Sequence, residues 1–192
     1  MLRLLEELGF KCRGVDDSAR RVVGVVIVDE DGMRYISSRG IDTSQAVVLT
    51  AIDDPICTVL KAVILCQQLS IPCRELVVGI DMGKNIGVAV VCDSRCVLAK
   101  SFRTALRALE MISNVFRCID ASRRVIRIGM PKKECGEYEE FVEKLVKIVG
   151  EDIELELIPE KGSSSFVLFL KTGRKIDDDA LAAINIALMR SS

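Results

Sequence analysis

Leu76-Val77-Val78-Gly79-Ile80-Asp81-Met82-Gly83-Lys84-Asn85-Ile86-Gly87-Val88-Ala89-Val90-Val91-Cys92 is the stretch that decides the fold. Its first five residues show almost no polar–apolar alternation, the pattern of a strand covered on both faces, yet the run ends in an acid. A carboxylate there is costly unless it reaches the sheet edge or is neutralised by a cation. The glycine-containing segment that follows supplies a tight turn, and residues 86–92 read as the returning strand. Residues 96–102 read as a third strand. The turns between the three are short, so antiparallel pairing is expected.

Downstream, residues 104–118 place Leu106, Leu109, Ile112 and Phe116 at helical spacing. Residues 125–130 read as a strand, 138–149 as an amphipathic helix, 153–158 as a strand and 177–189 as an Ala- and Leu-rich helix. Three antiparallel strands followed by β-α-β-α units predict an α/β domain with a mixed sheet. Residues 76–81 should be its central strand, between 86–92 and 125–129. Upstream, 2–8 read as a short helix and 22–28 as a buried strand. Asp29 to Gly32 carry turn chemistry, from which 33–37 would return as a partner strand. Residues 46–52 read as a further strand. Asp53 or Asp54 would cap a helix with Pro55 in its first turn, running through 58–65. The chain thus divides into a small N-terminal α+β extension, 1–74, and a larger domain, 75–192.

The chain has 192 residues and no histidine, which removes histidine general bases, catalytic triads and His-ligated zinc together. Acid–base or metal chemistry would have to run on carboxylates. A net charge of −1 argues against a general nucleic-acid coat but is compatible with a nuclease, where metal-binding acids and phosphate-binding lysines mix. No apolar run reaches the ~18 residues of a membrane span. The N-terminus carries two glutamates and lacks a cleavage site, so a cytoplasmic location and no membrane partner are expected. None of the eight cysteines sits in a CxxC pair. Small buried or free thiols are the plain expectation, and a Cys92–Cys96 bond across a hairpin is the alternative in a hyperthermophile.

The acids fall in three places. Asp81 ends the central strand. Gly83 and Gly87 permit a tight turn and close approach of a phosphate, for which Lys84 offers a mobile charge, although an ordinary hairpin also explains them. Glu160 lies just past the 153–158 strand, where a solvated loop glutamate is the equal alternative. Glu154 and Glu156 fit a solvated strand face, and Glu134 is a weaker competitor. Asp177-Asp178-Asp179 open the last helix, where capping and the helix dipole already favour acids. The small residues that follow should pack that helix closely and carry at least one of these aspartates beside Asp81.

GIDMGKNIGVAV, residues 79–90, resembles the first-strand motif of the RuvC and YqgF branch of ribonuclease H-like proteins. IDDDALAAINIAL, residues 176–188, resembles the final-helix motif of that branch, in which an aspartate precedes Ala-Leu-Ala. The resemblance spans residues 76–190 in the right order. It implies a ribonuclease H-like fold and a junction-resolving or structure-selective nuclease, a hydrolase whose carboxylates bind two Mg²⁺ or Mn²⁺ ions. Carried over by position, Asp81 is the strand acid and Asp179 the helix acid, with Asp177 its alternative. Glu160 falls where YqgF-type proteins have Asp-Glu-Arg and would be a third ligand. Lys84, Lys132, Lys133, Lys161 and Lys175 would then flank the phosphates of structured or branched DNA or RNA. The chain departs from the pattern in reading Pro-Glu-Lys there, and in having three consecutive acids instead of a pair spaced by three. These departures keep a second class open, a nucleic-acid-binding or scaffold protein that retains the fold without cutting. A kinase-type relative would need two such domains, which 192 residues hardly hold. A homodimer is compatible with either main reading.

Overall fold

The computed structural model describes residues 2–8, 10–50, 54–130, 136–150, 152–159 and 176–189. The chain forms two compact units, Met1–Ile71 and Pro72–Ser192, against the 1–74 and 75–192 read from the sequence.

The first unit runs α1 (Leu2–Glu7), β1 (Arg21–Val28), α2 (Glu30–Ser38), β2 (Asp42–Thr50) and α3 (Pro55–Cys66). β1 and β2 pair in parallel. The expected hairpin return over 33–37 is therefore wrong: those residues lie in α2, the crossover that a parallel pair requires. Asp29 is a helix cap and not a turn residue, its carboxylate accepting from the Gly32 amide at 2.8 Å. Ile36 and Ile41 close a small core against Val26 and Val28. Asp54 caps α3, accepting from Ile56 and Cys57 amides with Pro55 in the first turn; Asp53, the other candidate cap, lies outside the described residues.

The second unit contains β3 (Cys73–Met82), β4 (Ile86–Cys92), β5 (Arg95–Phe102), α4 (Ala105–Cys118), β6 (Ala121–Gly129), α5 (Gly136–Val149), β7 (Glu154–Ile158) and α6 (Asp178–Leu188). Its sheet has the order β5-β4-β3-β6-β7. β3, β4 and β5 are antiparallel neighbours, while β6 and β7 join in parallel. β3 is the central strand, with β4 on one side and β6 on the other, as its unbroken apolar run implies. The unit is thus α/β with a mixed sheet. Among the described residues of the chain, no helix is long and apolar enough to cross a membrane.

α6 covers one sheet face, with Ala183, Ile184 and Ala187 packed on Val77, Ala89, Val91 and Val125. It lies unusually close. A Cβ at Gly79 would stand 2.2 Å from the Ala183 carbonyl oxygen, and one at Gly87 would stand 2.0 Å from that of Asp179. Glycine is needed at both positions for space, not for dihedral freedom. Residues of the opposite parity in β3 and β4, such as Val78, Ile80 and Val90, are fully buried on the other face, where α4 packs with α5 against it.

Cys73 and Cys92 form a disulfide, with Cα atoms 5.8 Å apart, and Cys96 is a free, buried thiol. The Cys92–Cys96 pairing is overturned, and so, for Cys73 and Cys92, is the expectation of free thiols. The reason is strand parity. Cys96 pairs with Val91 and shares its packing against α6, so the neighbouring Cys92 points to the other face. Burial pushes the Cys96 thiol up to about 12, which leaves it a neutral, unreactive group. The Cys73–Cys92 bond closes a loop across a sequence separation of 19, around the β3–β4 hairpin. Cys73→Ser is expected to lower stability by about 3 kcal/mol, read as a lower urea midpoint for the variant than for the oxidised wild type. Equal midpoints would contradict a structural role for this bond.

Candidate functional site: a carboxylate pair at the end of the central strand

Asp81 pairs with Gly87 across β3–β4, and Gly87 pairs with Ser101 across β4–β5. These three positions form one row across the sheet, with side chains on one face. They share the parity of Val77 and Gly79, so that face is the one α6 covers. The first turn of α6 crosses this row. Asp177 is the N-cap, its Oδ1 accepting from the Ala180 amide at 2.9 Å and from the Ser101 hydroxyl. The backbone of Asp179 rests on Gly87, and its carboxylate turns towards the β3–β4 turn. There Asp179 Oδ2 accepts from the Asn85 side-chain amide at 2.9 Å and from the Asn85 backbone N–H at 3.3 Å.

Gly83 brings the two acids into register. A Cβ on this residue would stand 2.7 Å from Asp179 Oδ1, 3.2 Å from Asp81 Oδ2 and 3.6 Å from the Asn85 carbonyl oxygen. Three oxygens from two distant parts of the chain therefore flank one point. Asp81 Oδ2 and Asp179 Oδ1 can be no farther apart than the first two distances laid end to end. No family model matches the chain, and no curated protein matches it. The site has to be read from its own chemistry.

Both carboxylates are half-buried, whereas Asp177 and Asp178 are exposed. The three atoms nearest that point are all oxygens, two of them from carboxylates, which suits hard divalent cations such as Mg²⁺ and Mn²⁺. Of the predicted acids, the structure brings Asp81 and Asp179 together, while the Asp177 carboxylate is engaged in capping and in bonding Ser101. Lys84 is exposed on the turn between the paired strands. Glu160, Glu134, Lys132, Lys133, Lys161 and Lys175 lie outside the described residues.

The glycines divide their roles differently from the sequence reading. Gly87 accommodates the α6 backbone rather than a phosphate, and Gly83 leaves room for the two acids. Glu156 is not on a solvated face either. Its Oε2 accepts from Arg127 at 2.7 Å, and Arg127, itself buried, also donates to the Ala187 carbonyl at 2.6 Å near the end of α6. Glu154 accepts from Arg123, whose guanidinium holds its carboxyl below the usual range. Asn85 and Ser101 were not singled out from the sequence. The signal available for them was position: each lies in the row or turn that the opening of the last helix has to meet.

Proposed function

We propose that Pro72–Ser192 is a ribonuclease H-like domain and that the protein is a divalent-metal-dependent endonuclease acting on branched or structured nucleic acid. The observation that carries this reading is the approach of Asp81 and Asp179 to one point beside Gly83. The strand order β5-β4-β3-β6-β7, with antiparallel and then parallel pairing, supports the fold assignment, as do acids on the central strand and the last helix. Asp81 and Asp179 would hold Mg²⁺ or Mn²⁺, and the ion would supply a water of lowered pKa and stabilise the leaving oxygen. Asn85 fixes the rotamer of Asp179 through its two bonds to Oδ2, which leaves Oδ1 directed at the Gly83 side. Lys84, exposed on the same turn, offers a positive charge to the nucleic-acid backbone.

A second reading, a binding or scaffold protein that does not cut, draws on one observation. Among the described residues the paired acids are two, and Asp177 is occupied elsewhere.

The test of function is cleavage of labelled four-way DNA junctions and structured RNA with Mg²⁺, with Mn²⁺ and in EDTA. Metal-dependent products are expected, and their absence on both substrates would favour the second reading. Gly83→Ala separates site from fold. The added methyl is crowded only by side-chain tips, so stability should fall by about 1 kcal/mol or less, while the displaced Asp179 carboxylate should weaken Mn²⁺ binding about tenfold or more. Denaturation and Mn²⁺ titration of the same preparation check both. Wild-type Mn²⁺ affinity in Gly83→Ala would mean that the space beside Gly83 is not part of a metal site.

A further inference from the structure

The turn that carries Gly83 has a second side. Residues 82–86 also wall a cavity of about 320 Å³, closed by the start of α4 with Arg103 and by α5 with Tyr138 and Phe141. Met82 has the parity of Ile80, so the cavity opens on the α4–α5 side, with the turn standing between it and the carboxylate pair. Lys84 and Arg103 are both exposed, and among the described residues neither is held in an ion pair. The Tyr138 hydroxyl oxygen is buried without a hydrogen-bond partner among those residues. Burial also pushes the Tyr138 phenol up, so at neutral pH it remains protonated and able to donate. A buried hydroxyl with no acceptor is costly, and a bound oxyanion would supply one. Thr104, the N-cap of α4, makes no side-chain bond to the first-turn amides, whose N–H groups favour negative charge. Two carboxylates line the same space. Glu140 is taken by Lys144 at 2.6 Å, and Glu137 sits in the first turn of α5, where the helix dipole suits it.

We propose that this cavity is a phosphate subsite for a nucleic-acid backbone, with Lys84 and Arg103 supplying charge and Tyr138 a donated hydrogen bond. The ligand class rests on the nucleic-acid reading above, but the subsite does not depend on cleavage or on metal. A strand crossing the turn would place one phosphate here and present another part of its backbone to Asp81 and Asp179. Two flexible cations and a phenol offer such a ligand donors from several directions, beside the start of α4, which fits a tetrahedral oxyanion.

The experiment is fluorescence anisotropy of labelled four-way DNA junctions and RNA hairpins in EDTA, across a series of salt concentrations, with the full chain. Lys84→Ala and Arg103→Ala should each weaken binding about tenfold and reduce the salt slope by about one, as the loss of a phosphate contact does. Both residues are exposed, so the fold should be unaffected. Tyr138→Phe should weaken binding about threefold without loss of stability, because it removes a hydroxyl that no described residue bonds. Mn²⁺ affinity should stay at the wild-type value in Arg103→Ala and Tyr138→Phe. Inorganic phosphate should compete for the wild type, and less well for Arg103→Ala. Wild-type affinity and salt slope in both Lys84→Ala and Arg103→Ala would overturn the subsite, even if the protein cleaves. So would a wild type that engages nucleic acid only when metal is present. If instead the wild type neither binds Mn²⁺ nor cuts, while Arg103→Ala loses metal-free binding, the subsite stands and the nuclease reading falls.

Discussion

Asp81→Asn is expected to abolish metal-dependent cleavage, with a loss on the order of 10³-fold or more, about 4 kcal/mol of barrier. The amide keeps the shape of the carboxylate but removes one of the two charges that face each other beside Gly83. Neutral oxygen is a poor substitute where a divalent ion has to be held and its water activated. The apo variant should remain folded, since the amide keeps the size of the carboxylate. Metal should stabilise the wild type in proportion to its preference for the native state, and this increment should vanish in the variant. Single-turnover cleavage and thermal denaturation with and without Mn²⁺ measure the two effects. Retention of cleavage in Asp81→Asn would remove Asp81 from the site.

Gly87→Ala should be among the most damaging small substitutions in the sheet. Its methyl would stand 2.0 Å from the Asp179 carbonyl oxygen and 2.5 Å from the carbonyl carbon. Backbone lies on both sides of this contact, so relief requires α6 to lift from β4. Overpacking of this kind costs about 3 kcal/mol or more when no side chain can rotate away. The movement would also carry the Asp179 carboxylate off the row that holds Asp81, and Mn²⁺ binding should be lost along with stability. Gly129→Ala is the internal comparison. Its methyl would meet the Cδ1 end of Ile186 at 2.7 Å, which can turn, so the expected cost is nearer 1 kcal/mol. Urea denaturation of both variants tests the difference. Equal midpoints would show that α6 is not seated on Gly87 as described.

The elements that sequence made legible are those whose burial is uniform. β3 is apolar on both faces, and the closing helix has small residues around it, so each announces its own environment. Asp81 stood out for the same reason, as an acid at the end of an apolar run. The elements that sequence misplaced depend on distant partners. Asp29-Glu30-Asp31-Gly32 serves a turn or a helix start equally well, and the choice was settled by the parallel pairing of β1 with β2. Cys92 was matched with its near neighbour Cys96, because the bulged β4–β5 register that turns their side chains apart cannot be read along the chain. Glu156 looked solvated because alternation identifies a polar face but not a buried arginine waiting on it. Within the site, the two acids could be named from local pattern. Their junction through Asn85 and Gly83 could not, because it joins positions more than ninety residues apart.

The most direct test of the central claim is calorimetric titration of Mn²⁺ into the wild type, Asp81→Asn and Asp179→Asn, each first shown to be folded. The shared-ion account predicts saturable binding to the wild type and its loss in both variants, because either carboxylate alone offers a divalent ion too few charged oxygen ligands. Absence of Mn²⁺ binding to the folded wild type, or undiminished binding in both variants, would contradict it.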